Sequence, residues 1–256
     1  MKKTQSRETK RSASRPVSRG RRASPVTGDN VAARAEAVLA RLRTMGSEHN
    51  RQGMARFGIT IDRALGISVT ALRPVAKELG RDHDLACALW GSGIHEARLL
   101  AILTAEPKRM TLAAMKRWAM DCDSWDLTDQ LCGNVLDRTP HAVAAVRAWS
   151  GHKHVWLRRA AFALMAALSV HDKKMPDEVF ESFLPLIESA ADDERNWVKK
   201  AVNWALRSIG KRNRRLMKSA IASAERIRSQ GSSPARWIAA DALRELRGKA
   251  VLWGWD

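Results

Sequence analysis

Trp125 and Asp129 lie in the stretch "DSWDLTDQL", residues 123 to 131, as an aromatic ring and a carboxylate about one helical turn apart. On a helical wheel with Leu127 at zero, Leu131 falls at about 40°, and these two leucines mark the core side. Trp125 and Asp129 fall at about 160° and about 200°, away from that side. A carboxylate beside an aromatic face can stabilise a positive charge and orient a water molecule. The pair is therefore a candidate site.

The same pair has a purely structural interpretation. Asp123 or Ser124 is a plausible N-cap, and Asp126 in the first turn suits the helix dipole. The start of a helix therefore explains some of the acidic residues here without a functional site. The aromatic ring and carboxylate could also face a second layer of helices and belong to the core. Leu136, at about 180° on the same wheel, supports that alternative.

Charge and composition narrow the class of protein. The 256 residues are 45% hydrophobic, enough for a sizeable core, and 45 Lys and Arg against 27 Asp and Glu give a net charge of +18. Residues 1 to 30 carry nine basic and two acidic residues, which leaves a net charge of +11 on the rest. A folded body that is itself basic predicts a polyanionic partner such as nucleic acid.

Residues 1 to 30 are rich in Ser, Arg and Lys and poor in apolar side chains, so we expect a disordered basic arm there. We expect no secretory signal and no membrane span, although an Arg/Ser-rich start can mimic a transit peptide. The three cysteines fit no disulfide or zinc spacing, and the histidines of "HKH" and "DHD" lack partners at ligand spacing. We therefore expect no metal or other cofactor, and a reducing, cytoplasmic, nucleoid-associated setting.

From residue 31 onward, apolar residues recur at spacings of three and four, and strand signals are nearly absent. The segments that show this pattern are "AARAEAVLARLRTM", "VTALRPVAKELG", "DLACALW", "HEARLLAILTA", "LAAMKRWAM", "LTDQLCGNVLD", "HAVAAVRAWS", "WLRRAAFALMAALSV", "DEVFESFLPLIESAA", "WVKKAVNWALRSIG", "RLMKSAIASAERIRS" and "ARWIAADALREL". Short polar or Gly/Pro breaks separate them, as antiparallel neighbouring helices require. The sequence predicts an all-α protein.

The helices also repeat. Trp156, Trp197 and Trp237 each precede an aliphatic residue and two cationic or small ones, at intervals of 41 and 40 residues. This period is typical of HEAT or armadillo helix pairs. We predict one helical-repeat solenoid over residues 31 to 256, monomeric, whose inner helices present a concave basic surface.

The segment "NWVKKAVNWALRSIGK" carries a second candidate surface. Opposite its aliphatic stripe, within about 140° to 220° of Val202, lies a stripe of aromatic and cationic side chains. Its members are Trp197, Lys200, Trp204, Arg207 and Lys211, with Lys199 beside them. Such a surface suits phosphates, bases or cationic ligands. Alternatively, the tryptophans pack on an adjoining helix while the cationic stems extend to water.

Charged residues also interrupt two otherwise apolar helices. Arg158 and Arg159 do so in "VWLRRAAFALMAAL", where a buried arginine needs an internal partner or a ligand. Asp129 is one possible internal partner. Glu96 and Arg98, in "GIHEARLLAIL", are interpreted as a structural ion pair.

Several ordered motifs resemble the AlkD-like DNA alkylation repair proteins. These motifs span most of residues 50 to 245 and are "GISVTALRPVAKELG", "LWGSGIHEARLLA", "DSWDLTDQL", "WLRRAAFALMA" and "RNWVKKAVNWALRSIGKRN". The resemblance implies a HEAT-like solenoid and a DNA glycosylase that removes cationic alkylated purines, such as N3-methyladenine and N7-methylguanine, from duplex DNA. It also implies catalysis with the lesion still stacked in the duplex.

The resemblance assigns roles to individual residues. The family's Trp-Asp-x-x-Asp motif, which provides an aromatic wall and the catalytic carboxylate, matches Trp125 and Asp129. Arg159 matches its Arg in a Leu-x-Arg-x-Ala context, as the residue that holds the backbone phosphate, and Trp204 matches its later Trp. The best-known members carry a second aromatic residue just before the motif Trp, where this chain has Ser124.

We therefore predict catalysis by Asp129, Trp125 and Arg159, with DNA contacts from the α-helical stripe. The predicted DNA-binding residues are Arg158, Trp197, Lys199, Lys200, Trp204, Arg207 and Lys211. Two other classes use the same fold: a noncatalytic DNA-binding module and a helical-repeat scaffold for an acidic protein.

Overall fold

The computed structural model describes residues 28–248. Of the predicted basic arm, residues 1 to 27 lie outside the described residues, as does the tail "VLWGWD", and residues 28 to 30 open the first helix. The part described is helical and contains no β-strand, which confirms the all-α prediction.

The α-helices follow one another through short connections. In chain order they are α1 (Gly28–Met45), α2 (Glu48–Ala55), α3 (Val69–Leu79), α4 (His83–Gly91), α5 (His95–Thr104), α6 (Leu112–Asp121), α7 (Trp125–Asn134), α8 (Ala142–Trp149), α9 (Val155–His171), α10 (Asp177–Glu181), α11 (Leu184–Ser189), α12 (Asn196–Gly210), α13 (Arg214–Ser229) and α14 (Ser233–Leu246). Short 3-10 helices, Pro107–Arg109 and Leu136–Arg138, follow α5 and α7.

The helices pack in two layers. One layer, which we call the site layer, places α3, α5, α7, α9, α12 and α14 side by side, each in contact with the next. The other, the backing layer, includes α4, α6, α8 and α13, which pack on helices of the first. Two packed layers of alternating helices are the arrangement of a helical-repeat protein.

The apolar core lies between the two layers. Leu127 and Leu131 are fully buried, so the core side assigned to α7 is correct. Leu136, which supported a core position for the opposite side, lies beyond the end of α7 in a 3-10 helix. The wheel position of Leu136 therefore says nothing about the side that carries Trp125 and Asp129.

Helix α9 is the centre of the site layer. It packs between α7 and α12 and also contacts α8 and α6, so its side chains are buried on nearly every side. This position explains the apolar sequence of α9, because a helix surrounded by other helices needs no polar face.

One predicted helix was wrong in its extent, and one helix was not predicted. The predicted helix over residues 177 to 191 is divided into α10 and α11, because the chain turns at Ser182 and Phe183 and Pro185 opens α11. Helix α2 was not predicted, since it has no buried residues and its sequence, "EHNRQGMA", lacks an apolar stripe. Ser47 caps α2 by accepting a hydrogen bond from the backbone N–H of Asn50.

A segment from residue 56 to 67 connects α2 to α3 and crosses the site layer. The Glu96 carboxylate accepts hydrogen bonds from three consecutive backbone N–H groups of this segment, those of Leu65, Gly66 and Ile67, at 2.7, 2.7 and 3.1 Å. Gly66 has φ of 81°, and a Cβ there would lie 2.1 Å from the Ser47 carbonyl oxygen, so only glycine fits. Glu96 thus fixes the segment in place.

The expected Glu96–Arg98 ion pair is therefore absent from the described contacts. The Arg98 guanidinium instead lies over the Trp90 ring, at 5.2 Å from its centroid, and donates to the Asp121 carbonyl oxygen at 2.8 Å. Glu96 is wholly buried and has the backbone donors as partners, so it needs no arginine.

Candidate functional site

The candidate site lies at the N-terminal ends of three neighbouring site-layer helices. Trp125 is the first residue of α7, Arg159 is in the second turn of α9, and Trp197 is the second residue of α12. Together with Lys200 and with Phe57, from the segment after α2, they line a cleft of about 300 Å³. We call this space the aromatic cleft.

The segment after α2 forms one wall of the aromatic cleft. The Trp125 Nε1–H donates to the Phe57 carbonyl oxygen at 2.9 Å, and the Phe57 side chain is 69% exposed. Gly58 has φ of 70°, and a Cβ on it would lie 2.9 Å from the Trp197 ring. The backbone therefore approaches Trp197 as closely as only a glycine allows.

Asp129 and Arg159 form a two-pronged ion pair beside the cleft. Arg159 Nε and Nη2 donate to Asp129 Oδ1 and Oδ2 at 3.1 and 2.8 Å, and Arg159 Nη1 donates to the Trp197 carbonyl oxygen at 2.6 Å. The Arg159 side chain is only 6% exposed. The internal partner considered for Arg159 is thus Asp129, because a buried guanidinium needs compensation by a carboxylate. The phosphate contact implied for Arg159 stays a prediction.

Asp129 keeps contact with the surface despite this pairing. Its side chain is 20% exposed, so it is not enclosed in the core as the structural alternative required. Burial raises the pKa of the Asp129 carboxyl, and the charge and hydrogen bonds of Arg159 offset only part of that rise. A carboxylate held by both oxygens has a fixed orientation, which is what a site requires of a group that acts by its charge.

A second charge pair holds the first turn of α7. The Asp126 carboxylate lies 3.0 Å from Nε2 of His95, the first residue of α5, which is buried. Burial alone would lower the pKa of His95, but the hydrogen bond and charge of Asp126 outweigh it and raise that pKa. Burial alone would raise the pKa of Asp126, and His95 in turn lowers it. The pair ties α7 to α5 one residue from Trp125.

Trp197, and not Trp204, lines the aromatic cleft together with Trp125. The Trp197 ring stacks on Trp156 with 6.3 Å between centroids, and the Lys200 ammonium lies 5.5 Å from its centroid. Trp204 is partly buried against the core and does not line the cleft. Trp204, which was matched to the family's later Trp, therefore makes packing contacts, as in the alternative in which tryptophans of the stripe pack on other helices.

The predicted stripe on α12 divides into two halves. In the second half, Arg207 lies 3.4 Å from Asp241 and also pairs with Glu245, and Lys211 lies 2.5 Å from Glu245. Lys211 and Arg207 outweigh burial and lower the pKa of Glu245, so this carboxylate is ionised at neutral pH. The prediction of a basic surface therefore does not hold for this half of the stripe, because α14 supplies the opposite charge.

The remaining predicted DNA contacts have partners within the chain. Arg158 lies 3.1 Å from Asp193, which also binds Arg195 at 2.6 Å. The Lys199 ammonium lies 5.0 Å from the centroid of Trp237, a ring that is 42% exposed. Lys199 and Lys200 thus keep their charge near solvent, whereas Arg158 shares the single carboxylate of Asp193 with Arg195.

Sequence analysis missed four residues of this region. Phe57 and Gly58 escaped notice because they lie outside any periodic segment, and the only available signal was the Phe-Gly dipeptide after a short polar helix. Trp156 was noted only as a repeat marker. His95 stands beside Glu96, but the ordinary spacing rules give no sign that it meets Asp126 across 31 residues.

No cluster of three or more His, Cys, Asp or Glu side chains that could hold a metal ion occurs between residues 28 and 248. Among the helices in that range, none is long and apolar enough to cross a bilayer.

Comparisons with known proteins show the family through a sequence profile and the fold through a solved structure. The sequence profile of a family described as "DNA alkylation repair enzyme" matches residues 38 to 246. A solved structure described as a new family of proteins related to the HEAT-like repeat DNA glycosylases, with affinity for branched DNA structures, superposes with a TM-score of 0.68. It shares 18% sequence identity, and the match covers 82% of this chain and 94% of that one. Curated proteins give no match.

Proposed function

Because the chain belongs to the DNA alkylation repair enzyme family, we propose that it is a DNA glycosylase that releases cationic alkylated purines from duplex DNA. The substrates would include N3-methyladenine and N7-methylguanine. The observation that carries this proposal is an oriented carboxylate, Asp129, whose partner Arg159 lines a cleft together with Trp125 and Trp197.

The chemistry needs little more than these groups. An N-alkylated purine carries a positive charge, so when the N-glycosidic bond breaks the bonding electrons neutralise the base. The departing purine thus needs no general acid. Water then adds to the anomeric carbon of the sugar and loses a proton to solvent or to a carboxylate. The protein has to stabilise the transient cationic sugar and position the water.

Asp129 supports both requirements. Its negative charge offsets the charge that develops on the sugar, and its exposed edge can accept a hydrogen bond from the attacking water. Arg159 holds the carboxylate through two parallel hydrogen bonds and so acts as its positioning residue. The positive charge of the guanidinium partly cancels the negative charge of the carboxylate. Asp129 can therefore act on the sugar only through the part of its side chain that remains exposed.

The aromatic walls account for selectivity toward a cation. Trp125 and Trp197 present π surfaces, and each such contact contributes on the order of 0.5 to 2 kcal/mol to binding of a cation. The Lys200 ammonium at the edge of the cleft and the nearby Lys199 would contact phosphates of the DNA backbone. An open cleft on the surface of a helical layer suits a lesion that stays in the duplex, and the chain would act as a monomer.

Release of free methylated purines from alkylated duplex DNA tests the proposal. The wild-type chain should release them, and Asp129→Asn should lower the rate about 100-fold or more while duplex affinity stays within a few-fold. Asp241→Asn, a paired carboxylate on α14, is the matched control and should keep the wild-type rate. No release by the wild type, despite salt-sensitive binding of DNA, would refute the proposal.

A noncatalytic DNA-binding protein is the second candidate. Both Asp129 oxygens are engaged by Arg159, an arrangement that a purely structural ion pair would also show. The related solved structure is described by its affinity for branched DNA structures and not by excision. On this alternative, Asp129→Asn would change stability and leave DNA binding intact, and neither protein would release a base.

A further inference from the structure

A second basic surface lies at the opposite ends of the site-layer helices from the aromatic cleft. It follows the C-terminal ends of α3, α5, α7 and α9. We call it the basic rim, and its members are Lys77, Arg81, Lys108, Arg138, Lys173 and Lys174, all of them exposed. Lys77 belongs to the last turn of α3, and the other five lie beyond the ends of their α-helices.

Three adjoining clefts join these side chains into one surface. One of about 370 Å³ brings Lys77 and Arg81 to Arg138, and one of about 410 Å³ brings Arg81 and Lys108 to the same arginine. The third, of about 690 Å³, places Arg138 with Lys173 and Lys174. Arg138 lines all three, so the rim is continuous across the ends of four helices.

The cations of the rim are not used for internal pairing. Within residues 28 to 248, the four lysines of the rim form no ion pair, and Arg138 approaches only Asp137, at 3.9 Å. Arg81 donates to the Ala105 carbonyl oxygen at 2.5 Å. On the backing layer, by contrast, Arg215 and Arg226 bind glutamates of the preceding repeat at 2.9 and 2.7 Å.

The carboxylates that share these clefts are engaged elsewhere. Asp137 is buried and binds Nδ1 of His171 at 2.5 Å. Asp172 accepts hydrogen bonds from two backbone N–H groups at its own loop, at 3.1 and 3.0 Å, and Glu106 accepts one from the His83 backbone at 3.3 Å. The rim therefore keeps an excess of exposed positive charge.

Complementarity to the helix dipoles accounts for only part of this surface. A cation in the last turn of a helix gains about 0.3 to 1 kcal/mol, and the effect falls off within that turn. Lys77 fits this explanation. Lys108 and Arg138 lie in three-residue 3-10 helices beyond the last turns of α5 and α7, and the two lysines after α9 lie beyond its last turn. An extended polyanion accounts for these four cations better.

We propose that the basic rim binds a second segment of duplex DNA while the aromatic cleft holds the first. Four packed helices at interaxial distances of about 8 to 10 Å place the rim cations over roughly 25 to 30 Å. This length is close to one helical turn of duplex DNA, about 34 Å. Apart from Lys77, the rim residues lie in the connections that follow the site-layer helices, at the ends opposite Trp125, Arg159 and Trp197.

The inference depends on the DNA binding in the proposed function but not on excision. The test mixes donor-labelled and acceptor-labelled duplexes of about two helical turns each with the full chain at low salt. Energy transfer between the duplexes, together with the mass of the complex from sedimentation, reports whether one protein holds two duplexes. The rim variant is Arg138→Gln with Lys173→Gln and Lys174→Gln. The control replaces three exposed backing-layer cations, Lys116, Arg117 and Lys218, in the same way.

The wild type and the control should bridge two duplexes with one protein molecule, and the rim variant should lose bridging at least tenfold. Its affinity for a single duplex and its rate of base release should stay within about twofold of wild type. Because three phosphate contacts disappear, the salt dependence of the second binding step should fall by about 2.7 in log-log slope. Three outcomes would each overturn the inference. The wild type could form only a one-to-one complex with a duplex, it could bridge duplexes only as a protein dimer, or the rim variant and the control could lose bridging equally. Absence of base release with bridging retained would refute only the glycosylase.

Discussion

The two halves of α12 carry the same kinds of side chain in different surroundings. Trp197 and Lys200, in the first half, line the aromatic cleft, and no carboxylate is paired with that lysine in the described contacts. Arg207 and Lys211, in the second half, meet two carboxylates of α14. One face of one helix therefore supplies both part of the candidate site and a structural contact, depending on whether the adjacent helix provides carboxylates.

Arg159 should show the largest effect, because it joins the site half of α12 to the carboxylate of α7. Arg159→Gln removes one partner of a largely buried pair, which costs about 3 to 5 kcal/mol of unfolding free energy. Base release should fall about 100-fold or more, since Asp129 loses its fixed orientation. Unfolding in urea and single-turnover release measure the two effects. Arg207→Gln is the matched change in the other half and should leave release within a few-fold of wild type.

The tryptophans should divide in the same way. Trp197→Ala removes a wall of the aromatic cleft and should slow release of a cationic purine roughly 2- to 30-fold. Trp204→Ala should act mainly on folding, with a loss of about 2 kcal/mol or more, because its ring packs against the core. Release rates per folded molecule, set beside unfolding free energies, separate the two. A larger fall in release for Trp204→Ala than for Trp197→Ala would reverse the assignment.

The charge pair that ties α7 to α5 should be visible in the pH dependence of stability. The pKa of His95 is raised in the folded protein, so its pairing with Asp126 stabilises the fold fully below pH 6.5, the pKa of an ordinary histidine. This stabilisation is lost as the pH rises through the pKa that His95 has in the folded protein. The pKa of Asp126 is lowered in the folded protein, so its pairing with His95 stabilises the fold above pH 3.8, the pKa of an ordinary aspartate. This stabilisation is lost as the pH falls through the pKa that Asp126 has in the folded protein. Asp126→Asn should therefore lower the free energy of unfolding most between pH 3.8 and 6.5, by about 1 to 3 kcal/mol, and less at alkaline pH. An equal cost at every pH would contradict this.

Glu245 offers a way to convert the structural half of α12 into a second site. Glu245→Gln frees Lys211 and partly frees Arg207, so duplex affinity at low salt should rise several-fold. Glu181→Gln, which removes one of the two glutamate partners of Arg215 on the backing layer, is the control and should change affinity less. Unchanged binding in Glu245→Gln would mean that DNA does not reach this part of α12.

The smallest expected effect concerns two lysines of the same helix. Lys200→Gln should reduce the slope of log affinity against log salt by about 0.9, the value for one phosphate contact. Lys211→Gln should change the slope little, because Glu245 already neutralises that ammonium. Equal slopes for the two variants would remove the distinction between the halves.

Much of the fold follows from the sequence because apolar periodicity reports burial directly. The core side of α7 was correctly predicted from Leu127 and Leu131, and the all-α, repeating character from the spacing of such residues. Helix α2 was missed because none of its residues is buried. A helix that buries no face needs no apolar periodicity, which is the signal used to predict helices.

The candidate site was harder to predict, since its contacts join residues far apart in the chain. Asp129 was correctly considered as a partner for Arg159, because a buried arginine needs one. The pairing of Arg207 with Glu245, 38 residues away, depends on how α12 and α14 pack, and a wheel drawn for one helix cannot show it. The same limitation left Trp204 beside Trp197 among the predicted DNA contacts, although only Trp197 of the two lines the aromatic cleft.

The most direct test compares single-turnover release of two bases from otherwise identical duplexes. One carries N7-methylguanine, and the other carries its neutral isostere, in which carbon replaces the methylated ring nitrogen. The wild-type chain should release the cationic base and leave the neutral one, because Asp129 and the aromatic walls stabilise positive charge and no general acid assists the leaving group. Equal release of the two bases would contradict this account, as would release of neither.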